Sequence, residues 1–429
     1  MNTEAVTASQ DLFQELEKVS KFRSKFGELP YRKVGELFDD ITALAESLPD
    51  IDEPQDQDEL YTSELKRRLQ GDANMLRLQL GSQRIDFDTV VDLYAIPRED
   101  VDGLRGWLET NREETLETID RLFDTRDVGD YELSLPTDIP GVRRQAEEFA
   151  AVHIHKYHAK LGKLLGKLTS VGEFLRDIEA VATSQGRSYF HPLTKRLALG
   201  IPAICVTSGD GSLQIRERDL IELWGHEGMG HALNKIMTDG AELPYFLTRD
   251  TPLVVGTMES VAQFYQRQIF KDLRDSPETQ KELGIAHHFD DIVQDANDTE
   301  LLSEYRSKLF RYAITVLADK SLGDPEAPDT LKKKIEKLEP LALHPSWALG
   351  FVESQRRSFD SEGNLSPQLV SELRYAARPV ERAFVEFAKQ GIAYEGEGRS
   401  KIDSTLLTGF WTPIGYLHNA RLSAQEKQV

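Results

Sequence analysis

Apolar residues three and four positions apart recur along most of this chain, and that spacing leaves little choice but packed helices. Side chains at such intervals share one face of a 3.6-residue coil. The pattern runs through DLFQELEKVSKFRSKF (11–26) and VGELFDDITALAESL (34–48), then through about 59–80 and 98–124. IDEPQDQDE (51–59) has no apolar face and reads as a surface connection. SLPTDIPG (134–141), with two prolines and a closing glycine, separates an N-terminal helical region, 1–135, from a second helical region, 136–429. From Val142 to about Thr183 the pattern predicts one long helix, or two with a bend near the glycines. Strands are expected in one place. LALGIPAICVTS (197–208) and SLQIR (212–216) flank GDG, a tight-turn sequence suited to a hairpin. Helices resume at 216–237 and 254–273 and continue to the C-terminal residues. The expected fold is mainly α, with a small β-hairpin or sheet set just before the helix at 216–237.

Composition narrows the partners. A net charge of −21 gives an overall field that repels phosphate, so neither nucleic acid nor an anionic membrane is an expected partner. With a single cysteine, Cys205, a disulfide framework and a Cys-based zinc cluster are both excluded. Cys205 is expected to be a small buried hydrophobe. The N-terminal MNTEAVTASQDLFQELEKV is acidic and polar, without an apolar signal core, and no stretch approaches the length of a membrane span. A cytoplasmic location is the expectation.

The chemistry is concentrated in IELWGHEGMGH (221–231). Histidines at i and i+4 of an α-helix differ by about 40° around the axis and can share a metal, whereas i and i+5 differ by about 140° and cannot. His226 and His231 are at i and i+5. A π-bulge absorbs the extra residue and brings the two imidazoles together. Gly228 and Gly230 lie inside that turn, at a cost of about 1 kcal/mol each relative to alanine in a regular helix. Such a cost makes sense where the backbone must deform or come close to another element. A third ligand is available in PLVVGTMESVAQFYQRQIF (252–270), where Glu259 sits on a face marked by Val255, Met258 and Ala262. A carboxylate on such a face needs a partner. His226, His231 and Glu259 make the His₂Glu set of a catalytic Zn²⁺ with a fourth position open. Glu227 is then the general base. Glu222, four residues before His226, is a candidate to support that ligand from behind. In HIHKYH (153–158), His155 and His158 share a helix face but His153 does not, and neighbouring lysines repel a cation. That string predicts a polar helix face, and His287 with His288 a solvated turn.

HExxxH followed by a helix bearing a ligand Glu resembles the gluzincin-type zinc metallopeptidases. The run IPAICVTSGDGSLQIRERDLIELWGHEGMGHALNKI … LPYFLTRDTPLVVGTMESVAQFYQRQI is most similar to the tyrosine carboxypeptidase-like family with a QEGLA motif. More distantly, TMESVAQFY resembles the ligand helix of the mostly helical carboxypeptidase Taq family. The resemblance implies a peptidase acting on a peptide or protein C terminus. It implies His226, His231 and Glu259 as zinc ligands, Glu227 as base, and the strand 197–208 as the edge that pairs with an extended peptide. Gly-Met-Gly replaces the family's x-Gly-Thr, and Glu-Ser-Val-Ala its Glu-Gly-Leu-Ala. Helical metallopeptidases bring a Tyr or His from late helices to the oxyanion, which points to Tyr416 and His418, with Tyr312 as a rival. Arg356, Arg357, Arg374 and Arg378 are candidates for a substrate carboxylate. Two other readings stay open at this point: a dipeptidyl peptidase, and a helical binding or scaffold protein with a structural or vestigial metal site.

Overall fold

A computed structural model describes residues 3–26, 31–80, 87–94, 96, 101–124, 140–184, 187–207, 212–249, 251, 253–319, 328–344, 373 and 379–426. It is mainly helical with two small sheets, as the apolar spacing predicts. Helices α1 (Thr3–Phe26), α2 (Tyr31–Ser47), α3 (Gln57–Leu80), α4 (Phe87–Leu93) and α5 (Val101–Asp124) precede α6 (Pro140–Leu168). The long helix expected to reach Thr183 stops at Leu168. A 3₁₀ turn, Ser170–Asp177, then folds back onto α6 so tightly that a Cβ on Gly172 would lie 2.5 Å from the carbonyl carbon of Leu165.

Strands β1 (Glu179–Thr183), β2 (Tyr189–His191) and β3 (Arg196–Gly200) form a sheet in the order β1-β3-β2, with β1 parallel and β2 antiparallel to β3. The continuous strand expected over 197–208 is broken after Gly200 by a single helical turn, α7 (Ile201–Ile204). Pro202 sits in the first turn of α7, where its fixed φ favours a helix start and its missing N–H costs no ladder bond. The chain re-extends as β4 (Cys205–Thr207), which pairs antiparallel with β5 (Leu213–Ile215). The expected hairpin therefore exists in shortened form, and its GDG turn lies outside the described residues. Cys205 is buried, as expected.

One helical body follows: α8 (Glu217–Leu223), a π-helical segment (Trp224–Ala232) and α9 (Leu233–Gly240). A short turn, Tyr245–Thr248, leads to α10 (Val255–Arg274). Then come α11 (Pro277–Leu283), α12 (Phe289–Ala318), α13 (Pro328–Leu338), α14 (Pro379–Lys389), α15 (Gly396–Leu407) and α16 (Pro413–Gln425). Among the described residues no helix is long and apolar enough to cross a membrane.

Residues from both sides of the 135/136 division share one hydrophobic cluster, from Phe13 and Ile41 through Trp224 and Tyr265 to Ala424. A buried polar node ties the two regions. Arg68 on α3 is fully buried; its Nε donates to Glu64 at 3.0 Å and its Nη1 to the Phe246 carbonyl in the turn before α10. Glu64 also accepts from the Thr412 amide and hydroxyl at 2.7 and 2.6 Å, at the start of α16. A second node joins α10 to α15. Arg399 holds Asp272 with two 2.7 Å bonds, and Asp403 accepts from the Tyr265 and Tyr394 hydroxyls at 2.6 Å. Deleting one member of such a buried pair strands its partner's charge. Glu64→Ala is therefore expected to lower unfolding free energy by about 3–5 kcal/mol, measured as a drop in the urea midpoint.

Candidate metal centre

The segment carrying the two histidines is π-helical over Trp224–Ala232, and the Leu233 amide donates to Gly228 O, an i→i−5 bond. This is the widened turn that an i, i+5 histidine pair requires. The imidazoles of His226 and His231 stand 4.9 Å apart between centroids at 78°. Close approach of α10 sets the third group beside them. A Cβ on Gly230 would lie 2.3 Å from Ala262 Cα, and one on Gly225 would lie 3.0 Å from Tyr265 O. Glycine at these two positions lets the backbones touch. Gly228, by contrast, has only ordinary contact with Leu197 and Trp224, so its place in the segment is not explained by crowding.

Glu259 presents one oxygen to each ring: Oε2 is 3.5 Å from His226 Nε2 and Oε1 is 3.6 Å from His231 Nε2. Ligand atoms of all three residues fall within 4.8 Å of one another. Two donors each bonded to Zn²⁺ at 2.0–2.1 Å in a tetrahedral site stand about 3.4 Å apart, so the His–Glu spacings fit that ion. The donor set, two imidazoles and a carboxylate, fits it as well. No other described residues form a comparable group.

His226 is held from behind by Gln266, whose Oε1 lies 3.2 Å from His226 Nδ1. An amide oxygen can only accept, so Nδ1 carries the proton and Nε2 keeps its lone pair for a metal. The expected supporter, Glu222, lines a neighbouring cavity of about 430 Å³ together with His226 and Gln266, and makes no hydrogen bond to His226. Burial lifts the pKa of Glu222 to about 7, against the pull of Arg218. Gln266 lies seven residues after Glu259 on the same helix face, and that spacing was the signal available to find it.

Burial pushes His231 down to about 4, helped by the charge of His226 and opposed by Glu259, so this ring is neutral at pH 7 and free to ligate. Burial also disfavours a charge on His226, but the hydrogen bond and charge of Glu259, with Glu227 and Gln266, together raise its pKa. Glu227 is raised by burial, opposed by His226 and reinforced by Glu259. It lines a cavity of about 540 Å³ together with His226, His231 and Glu259. The same cavity is walled by Tyr189 and Phe190 of β2, by Val255 and Met258 of α10, and by Phe410. Lys235, one turn beyond His231, lines it too, lying 5.6 Å from the centre of the Phe410 ring and paired with Asp239.

Tyr416 and His418 are not among the residues that line this cavity, which corrects the expectation for both. Tyr416 is 2 % exposed, and its hydroxyl is buried without a hydrogen-bond partner near the Asp403 node. His418 is held near pKa 4 by burial and by Arg67 and Arg421. Both lie on α16, whose inner face serves the core. Tyr312 packs with Leu104, Leu108 and Tyr305 in a separate cluster. Tyr189 is the tyrosine at the cavity. Its strand, three residues long between Gly186 and Pro192, has too few positions to display an alternating pattern. The edge strand beside the centre is β2, because β3 is flanked on both sides. Arg356, Arg357, Arg374 and Arg378 lie outside the described residues. In HIHKYH, His153 packs on Phe149, and His158 Nδ1 accepts from Trp224 Nε1 at 3.1 Å, supporting the π segment without joining a metal cluster. His288 is not merely solvated, since its Nε2 lies 2.5 Å from Glu217 Oε2.

Comparison with protein-family models, with curated proteins and with solved structures yields no match. The chemistry of the centre therefore rests on its own geometry.

Two outcomes follow from that geometry. Gln266→Leu is expected to weaken zinc binding about 10–100-fold, read by competition with a chromophoric chelator, with the fold intact by circular dichroism. Tyr416→Phe removes an unsatisfied buried hydroxyl and is expected to raise stability by about 1 kcal/mol, measured by chemical unfolding, with zinc affinity unchanged.

Proposed function

We propose that this protein is a zinc-dependent peptidase of the gluzincin type, acting on a peptide or protein chain near its C terminus. The observation that carries the reading is the position of Glu227, a half-buried carboxylate with a raised pKa in the same cavity as His226, His231 and Glu259. A purely structural site has no need of a proton acceptor beside its ligands.

His226, His231 and Glu259 would hold the ion, with Gln266 fixing the tautomer of His226. A bound Zn²⁺ supplies a Lewis acid for the scissile carbonyl and lowers the pKa of water toward neutrality. Glu227 accepts the proton of the attacking water and delivers it to the leaving amine, a task favoured by a carboxylate pKa displaced upward toward the working pH. β2 offers an edge of main-chain donors and acceptors along the cavity, suited to pairing with an extended substrate. The Tyr189 phenol is the candidate donor to the oxyanion in place of Tyr416. Tyr189, Phe190, Met258 and Phe410 favour an apolar or aromatic side chain at the cleavage point. Lys235 is the cation available for a terminal carboxylate. The resemblance to the tyrosine carboxypeptidase-like family agrees with this assignment.

The test is hydrolysis of a peptide ladder with free and amidated C termini by the zinc-loaded chain and by Glu227→Gln. The expected result is equal zinc content and a rate lower by about 10²–10⁴-fold in the variant, with amidated peptides cleaved poorly. Equal rates, or an inactive wild type that binds zinc, would remove the catalytic assignment.

A further inference from the structure

A cavity of about 600 Å³ lies between the N-terminal helices and the start of α16, and it shares no lining residue with the metal cavity. Its polar lining comes from Thr42 on α2, from Arg67, Gln70 and Asn74 on α3, and from Thr412. Leu253, just before α10, and Ile414 supply much of its apolar surface.

Arg67 is the unusual member. The chain carries 73 acidic residues against 52 basic ones, yet among the described residues no carboxylate pairs with this guanidinium. Its Nη1 is buried and makes no hydrogen bond. Burial lowers its pKa despite the nearby charges of Glu64 and Asp52, so the cation is under-stabilised where it stands. Glu64 is engaged elsewhere: Oε1 accepts from Arg68 and from the Thr412 amide, and Oε2 from the Thr412 hydroxyl. Thr42 on α2 lines the same cavity, and its hydroxyl is likewise buried without a partner. A buried donor left unpaired costs roughly 1–3 kcal/mol, more when charged, and is uncommon in native structures. Two such groups lining one cavity have a common explanation if a ligand completes them.

We propose that this cavity binds a small organic monocarboxylate, with its carboxylate on Arg67 and Thr42 and its apolar body against Leu253 and Ile414. The guanidinium fork matches a carboxylate with two parallel N–H bonds. The volume lies in the range of small-molecule sites. Glu46 at the lining adds negative charge that disfavours a dianion such as phosphate.

The test is calorimetric titration of the full chain with 4-methylpentanoate and, separately, with inorganic phosphate. Saturable 4-methylpentanoate binding is expected, with phosphate weaker. Arg67→Met removes the unpaired charge at similar volume, so it is expected to fold with an undiminished Tm and to bind about tenfold more weakly or worse. Thr42→Val, a milder change, is expected to weaken binding severalfold and guards against a folding defect in the first variant. No saturation by concentrations on the order of 10 mM, which would mean under about 3 kcal/mol of binding energy, would overturn the proposal. Equal affinity in Arg67→Met, or tighter binding of phosphate, would overturn it too.

Discussion

Everything at the candidate metal centre depends on two backbones lying in contact. Gly230 meets Ala262 at a separation no Cβ could share, and Gly225 meets the carbonyl of Tyr265 at one that a Cβ would crowd. That contact sets Glu259 in reach of both imidazoles, and it places Gln266 behind His226 in the same stroke, because Glu259 and Gln266 share a face of α10. The widened turn and the close approach are separate requirements. The first aims the histidines, and the second brings the carboxylate. Glycine serves the second, while the inserted residue serves the first.

Two compact groups of buried charges tie this acidic protein together. Arg68 and Glu64 link the N-terminal helices to the turn before α10 and to the start of α16. Arg399, Asp272 and Asp403 brace the other end of α10 against α15. The helix that carries Glu259 is thus anchored near both ends by ionic groups buried from water, where interactions are strongest and loss of a member is most costly. Such bracing suits a site whose ligand atoms must hold position to a fraction of an ångström.

The cluster of His226, His231 and Glu259 is legible in the sequence because its constraints are local. An i, i+5 histidine pair in a helical register leaves only a π-bulge, and one glutamate on an apolar face supplies the third donor. Gln266 is legible on the same grounds, seven residues after Glu259, whereas Glu222 shares a helical run and a cavity with His226 without bonding to it. The strand at 197–208 was misread because apolar β-branched residues on both sides of Pro202 masked the helical turn it starts. Strands β1 and β2 are too short to carry a period. Tyr416 and His418 are candidates on chemistry alone, and the burial of Tyr416 and half-burial of His418 are decided by long-range packing of α16 that no local pattern encodes.

The inserted residue also has an effect beyond the imidazoles. The widened turn takes up one extra position, so the 3.6-residue sequence pattern of α8 slips by one residue before it resumes in α9. Upstream, the rod faces α7 and α12; downstream, it faces α15 and the turn at Tyr245–Thr248. One continuous rod thus seats two sets of neighbours, and the widened turn between them falls where the ion would sit. Deleting a residue between the histidines would restore regular winding and an i, i+4 pair, but it would also close up the swelling through which this rod meets α10 at Gly225 and Gly230.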